Sequence, residues 1–199
     1  GERGGGGGRD VTAPETGHES TRAVAKAEGG DALVAMIGRP NCGKSSLFNA
    51  GTGARAHVGN FPGVTVDVLE ADVALPSGLR ARIADLPGVY SVEATVDPST
   101  DEGIARAFLD DERVRVVVLI LDPLQLRLGL NLARELAARK LPMVVCISQR
   151  DVAESQGLRV DVAALQRALD CPVVLVSARD ANARVAVLGA IDEALRDGR

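Results

Sequence analysis

Gly38-Arg39-Pro40-Asn41-Cys42-Gly43-Lys44-Ser45 places a glycine first and sixth, then a lysine and a hydroxyl. That spacing suits phosphate chemistry. The glycines let the backbone wrap closely around an anion, and successive N–H groups face it together with the N-terminus of the following helix. Lys44 is placed to reach β- and γ-phosphates, and the Ser45 hydroxyl to ligate Mg²⁺. A second constellation, "IADLPGVYS", ends an apolar stretch on Asp85 and continues to Gly88. A carboxylate there can support the same Mg²⁺ through water, while the Gly88 N–H can meet a γ-phosphate. Between the two lies "VGNFPGVTVD", interrupted by Gly and Pro, with Thr65 as its central hydroxyl. It reads as a mobile loop that closes on metal and γ-phosphate.

Base recognition is expected further along. "CISQRD" puts Asp151 just beyond one apolar run, and "LVSARD" puts Ser177-Ala178 beyond another. Ligands of open α/β sheets bind at those carboxyl ends. A carboxylate facing a purine edge selects guanine, whose N1–H and N2–H₂ are donors, whereas adenine turns its N1 acceptor toward it.

These residues need a scaffold. Short β-branched runs predict strands at Leu33–Ile37, Val66–Ala74, Leu79–Ala84, Val114–Leu121, Met143–Ile147 and Val173–Val176. Amphipathic stretches predict helices starting near Lys44, Thr100, Leu126, Asp161 and Ala183. The alternation gives an α/β fold of the P-loop NTPase class, a six-stranded mostly parallel sheet with helices on both faces. "VLEADVAL" and "LRARIAD", with only "PSG" between, force a hairpin and hence one antiparallel strand. Residues 1–30, opening "GERGGGGGRD", bury too little apolar surface to offset ordering and are expected to be disordered. Residues 31–199 form the folded domain. The first residue is not Met, as in a piece of a longer protein.

Composition narrows the function. The net charge of −4 with no Lys/Arg block gives no broad footprint for nucleic acid. One Tyr, three Phe and no Trp offer no stacking platform for single strands. Cys42, Cys146 and Cys171, three and widely spaced, read as reduced thiols rather than a disulfide framework or zinc site. The runs "VVVLIL" and "MVVCI" are far too short to span a bilayer and read as buried parallel strands. No signal peptide is visible.

"GRPNCGKSSLFN", "VGNFPGVTV", "DLPGVYS", the "EGIARAFL" that follows and the late "SA" together resemble the cytosolic G domain of the bacterial ferrous iron transport protein B family, from about Ala32 to the end. The resemblance implies a Ras-like GTPase domain that binds and slowly hydrolyses GTP with Mg²⁺. It assigns nucleotide contacts to Gly38, Arg39, Pro40, Asn41, Cys42, Gly43, Lys44, Ser45 and Ser46. It extends them to Gly63, Val64, Thr65, Asp85 and Gly88, and to Ser148, Asp151, Ser177 and Ala178 at the base. Ser45, Thr65 and Asp85 would hold Mg²⁺, and Asn41, Lys44, Thr65 and Gly88 would act in hydrolysis. Asn41 matches the phosphate-loop asparagine that in potassium-activated members helps hold K⁺, a charge that can stand in for an arginine finger; the alternative is that it only stabilises the loop by local hydrogen bonds. The implied partners are GTP or GDP and the helical and transmembrane remainder of a transporter at the cytoplasmic face of the inner membrane. No nucleic acid partner is implied, and a homo-oligomer would form through the parent protein. Two other readings stand beside this one: a soluble Era-like ribosome-assembly GTPase, and a nucleotide switch with negligible hydrolysis.

Two positions depart from common G-protein patterns. Val89 follows the DxxG where Ras-like proteins carry a water-orienting Gln, leaving backbone groups and metals to hold the water. Ser148 stands where the N-x-x-D motif has Asn, and serine is too short to make both the amide contact to guanine N7 and the tether to the phosphate loop. Losing one such bond costs about 0.5–1.5 kcal/mol, which weakens nucleotide binding while Asp151 keeps guanine preference. Cys42, among N–H donors beside Lys44, is expected to favour its thiolate. His18 and His57 read as solvated loop residues, and Arg39 and Arg55 as surface arginines near the phosphates. "DPSTDEG" reads as a helix start capped by Ser99 or Thr100.

Overall fold

The computed structural model describes residues 31–53, 56–60, 67–93 and 97–198. The expectations for residues 1–30, His18, Arg55, Gly63, Val64 and Thr65 lie outside these. In chain order the strands are β1 (Ala32–Gly38), β2 (His57–Asn60), β3 (Asp67–Ala74), β4 (Arg80–Asp85), β5 (Val114–Leu121), β6 (Met143–Ile147) and β7 (Val173–Leu175). The helices are α1 (Lys44–Thr52), α2 (Asp101–Leu109), α3 (Leu126–Ala137), α4 (Arg150–Ser155), α5 (Val162–Leu169) and α6 (Ala183–Asp197), with a 3₁₀ turn at Pro123–Gln125.

The sheet runs β2-β3-β4-β1-β5-β6-β7. β1 pairs in parallel with both β4 and β5, β5 with β6 and β6 with β7, while β3 runs against both β2 and β4. One strand is therefore antiparallel to the rest, as the "PSG" turn requires. The turn itself closes through Gly78, at φ 87°, whose N–H donates to the Leu75 carbonyl at 2.9 Å. Asp192 of α6 then accepts from the Ser77 amide at 3.0 Å and hydroxyl at 2.5 Å, pinning the hairpin tip to the last helix.

Sidedness follows the strand period of two. Along β1, Leu33, Ala35 and Ile37 enter one apolar layer, while Val34 and Met36 enter the other. β5 divides likewise, with Val117, Leu119 and Leu121 against Val116, Val118 and Ile120. The first layer contains Phe108 of α2 and Leu132 and Leu136 of α3; the second contains Leu47 and Phe48 of α1 and Val187 and Ile191 of α6. Both faces being covered is why residues 116–121 of β5 and the whole of β6 read as unbroken apolar runs.

Two expectations change. The sheet has seven strands, not six, because His57–Asn60 pairs with β3, with His57 opposite Glu70 and Val58 opposite Leu69. Val58 to Asn60 therefore belong to an edge strand rather than to the loop read from "VGNFPGVTVD". His57 is not an isolated loop residue either: its Nε2 lies 4.0 Å from the buried Glu70 carboxylate. The predicted helix starts agree with the fold, with Thr100 accepting from the Gly103 amide as the cap of α2 and Asp161 capping α5.

Candidate nucleotide site

β1 lies where the chain turns from building one side of the sheet to building the other, and the carboxyl ends of β1, β4, β5, β6 and β7 share one edge. That is where open α/β sheets bind ligands. The loop after β1 runs through Asn41 at φ 64° and Gly43 at φ 85° before α1 begins at Lys44. Both are left-handed conformations, tolerated by Gly and by Asn but costly for most residues. α1 itself carries no acidic side chain in its first turn. Arg39, Pro40, Asn41, Gly43, Lys44, Ser45, Ser46 and Gly88 line that cleft together, joined by Asp101 from the first turn of α2, which the sequence reading did not assign.

Asp85, the last residue of β4, is held beside β1 by the pairing of Met36 with Asp85. The Lys44 ammonium forms an ion pair with one Asp85 oxygen, and the Ser45 hydroxyl donates to the other at 3.2 Å. A hydroxyl and a carboxylate converging at a helix N-terminus are the hard oxygen donors that suit Mg²⁺. The residues present therefore fit that ion. No cluster of three or more His, Cys, Asp or Glu suited to a metal occurs among the described residues.

The "DLPG" segment is laid against the phosphate loop. Leu86 donates to the Met36 carbonyl and Val89 to the Gly38 carbonyl, both at 3.0 Å. A Cβ on Gly88 would lie 3.0 Å from Pro40 N and Cα, so only glycine fits without displacing backbone. Val89 is fully buried, so its side chain does not face the cleft. Beyond it, Glu135 of α3 accepts from both the Ser91 hydroxyl, at 2.8 Å, and the Val92 amide, at 2.7 Å, through the same oxygen. The Arg39 guanidinium sits 5.0 Å from the centre of the Tyr90 ring and donates to Gln125 at 3.4 Å. Arg39 thus reaches the segment after the DxxG through the Tyr90 ring while still lining the cleft. The sequence carried no sign of Glu135, because nothing local distinguishes it from any other polar residue of a surface helix.

The loops after β6 and β7 lie side by side, joined by the Arg150 amide donating to the Val176 carbonyl at 3.2 Å. Ser148 is 3% exposed, and its hydroxyl lies 2.5 Å from the Cys42 carbonyl and 3.2 Å from the Leu121 carbonyl. Of the two contacts that serine is too short to combine, it makes the tether to the phosphate loop. Ser177 is also buried; its amide donates to Asp180 at 3.0 Å, and its hydroxyl accepts from the Arg179 amide at 3.3 Å. Asp151 lies in the first turn of α4. A hydrogen bond from the Ser177 side chain, then a backbone N–H and after it the Arg179 charge, hold its carboxyl below the ordinary range. Cys42 differs from expectation. It is buried behind the loop, and desolvation pushes its thiol up despite the opposing pull of Lys44, so the thiolate is disfavoured.

Residues 32–191 match the family model described as ferrous iron transport protein B. The chain belongs to that family. Among its relatives, the Fe(2+) transporter FeoB of Synechocystis sp. is 35% identical over 164 residues, which is 82% of this chain and 26% of that protein. FeoB of Legionella pneumophila (strain Lens) is 39% identical over 144 residues, 72% of this chain and 19% of that protein. The chain thus spans about a quarter or less of the FeoB transporters it matches. The crystal structure of the T. maritima FeoB cytosolic domain in a GDP form superposes with TM-score 0.73 at 32% identity, covering 82% of this chain and 63% of that one. The FeoB G domain from Methanococcus jannaschii gives 0.71 at 32% identity over 84% of this chain and 99% of that one. The fold is therefore the FeoB G domain, a P-loop GTPase architecture. No helix among the described residues is long and apolar enough to cross a membrane.

Proposed function

We propose that this domain binds GTP with Mg²⁺, hydrolyses it slowly, and regulates Fe²⁺ passage as part of a larger transporter at the cytoplasmic face of a bacterial inner membrane. The convergence of Lys44, Ser45 and Asp85 at the uncapped start of α1 carries this reading. Backbone N–H groups of the loop cradle the phosphates, Lys44 neutralises β/γ charge, and the Gly88 amide meets the γ-phosphate. Ser45 and Asp85, with Thr65, would hold Mg²⁺, which supplies charge neutralisation at the leaving oxygens. Asn41, exposed in the cleft, is the residue that would hold K⁺, whose charge would do the work of an arginine finger. Asp151 reads the guanine edge with Ser177-Ala178 behind it, and Ser148 spends its hydroxyl on the phosphate loop, weakening base recognition.

GTP turnover measured in K⁺ against Na⁺, with Asn41→Ala alongside, tests this directly. K⁺ stimulation that disappears in the variant supports hydrolysis by this route. Binding of GTP without turnover in either salt favours a pure nucleotide switch, a reading that the burial of Val89 keeps open. Failure to bind guanine nucleotide at all removes both. An Era-like ribosome-assembly role would require RNA binding, which the acidic balance of the chain disfavours.

A further inference from the structure

Two Arg-Asp dipeptides face each other across the base loops. Arg150-Asp151 follows β6, and Arg179-Asp180 follows β7. Their ion pairs cross: Arg150 Nη2 lies 3.0 Å from Asp180 Oδ2, and Arg179 Nη1 lies 3.0 Å from Asp151 Oδ2. The two pairs are not equivalent. Arg150 is the more enclosed, with Glu154 also 3.7 Å away, and its carboxylate partner Asp180 is fixed by the Ser177 amide. Arg179 is 87% exposed, on a side chain free to swing. Its partner is the one carboxylate that the base reading reserves for guanine.

We propose that Arg179 gates the base site, competing with the guanine edge for Asp151. The inference rests on the reading of Asp151 as the guanine acceptor. A guanidinium and a guanine N1–H/N2–H₂ edge offer a carboxylate the same kind of N–H donors, so the nucleotide binds only as Arg179 withdraws or shares the acceptor. The gate lowers guanine affinity. It also acts selectively: adenine presents no such paired donors to Asp151 and gains nothing from Arg179 leaving.

The test is competition titration of the whole chain with GDP and with ADP at low and high NaCl. Arg179→Ala is expected to bind GDP about two- to fivefold more tightly, the range of an exposed ion pair. That gain should shrink toward none in molar salt, and ADP affinity should not rise. Arg150→Ala should not tighten GDP, since the pair it removes is with Asp180 and leaves Arg179 on Asp151. Equal or weaker GDP binding by Arg179→Ala overturns the gate, as does an equal gain for ADP. Asp151→Ala separates the two levels of the argument. If it leaves GDP affinity intact, the base reading itself fails and the gate with it. If it weakens GDP while Arg179→Ala gives no gain, only the gate fails.

Discussion

Ser148 Oγ approaches the carbonyl of Cys42 to 2.5 Å, a bond between residues 106 positions apart that ties the loop after β6 to the phosphate loop. Because both groups are buried, removing the hydroxyl leaves an acceptor without its donor. Ser148→Ala is expected to lower stability by about 1–3 kcal/mol in urea unfolding. Ser148→Asn should instead tighten GDP binding by up to about tenfold, by adding the amide contact to the base. Titration showing no gain would overturn the reading that Ser148 weakens base recognition.

Gly88 tests the link between the DxxG and the phosphate loop. In Gly88→Ala the new methyl meets Pro40 backbone atoms at 3.0 Å, which cannot rotate aside. The Gly88 amide must then shift away from the position proposed for its γ-phosphate contact. GTP affinity is expected to fall about ten- to a hundredfold, the value of a hydrogen bond to a charged group, while GDP changes little. Equal losses for both nucleotides would remove the γ-phosphate role.

Glu135 holds the Ser91 hydroxyl and Val92 amide with one oxygen, so it anchors the far end of the same segment. Glu135→Ala should speed hydrogen exchange of the Val92 amide by about ten- to a hundredfold, with Glu135→Gln in between. Unchanged exchange in the alanine variant would mean that burial of Val92 alone fixes the segment.

Alkaline stability should report the buried thiols. Burial pushes Cys146 from 9.0 up to about 12, and burial with the Asp170 charge pushes Cys171 up to about 11. Above about pH 9 the unfolded chain releases protons that the folded chain keeps. The contribution is therefore whole below that pH and is lost as pH climbs toward the folded values. Urea midpoints between pH 8 and 11 should fall with a slope that Cys146→Ala reduces; an identical slope in the variant would show that other groups govern it.

The sequence alone determined what is local. The phosphate loop is legible because glycine at set intervals, then lysine and a hydroxyl, satisfy steric and charge demands over a few bonds. The unbroken apolar runs "VVVLIL" and "MVVCI" marked strands buried on both faces, and Thr100 and Asp161 marked helix starts through caps made three residues on. What only the tertiary structure decided depends on which distant segments meet. β2 has too few apolar residues to announce itself and becomes a strand by pairing with β3. Cys42 looked poised for a thiolate among amides, yet the packing behind the loop buries it and desolvation outweighs Lys44. Glu135 and Arg179 acquire partners 44 and 28 positions away, set by helix placement and strand order rather than by neighbours in the chain.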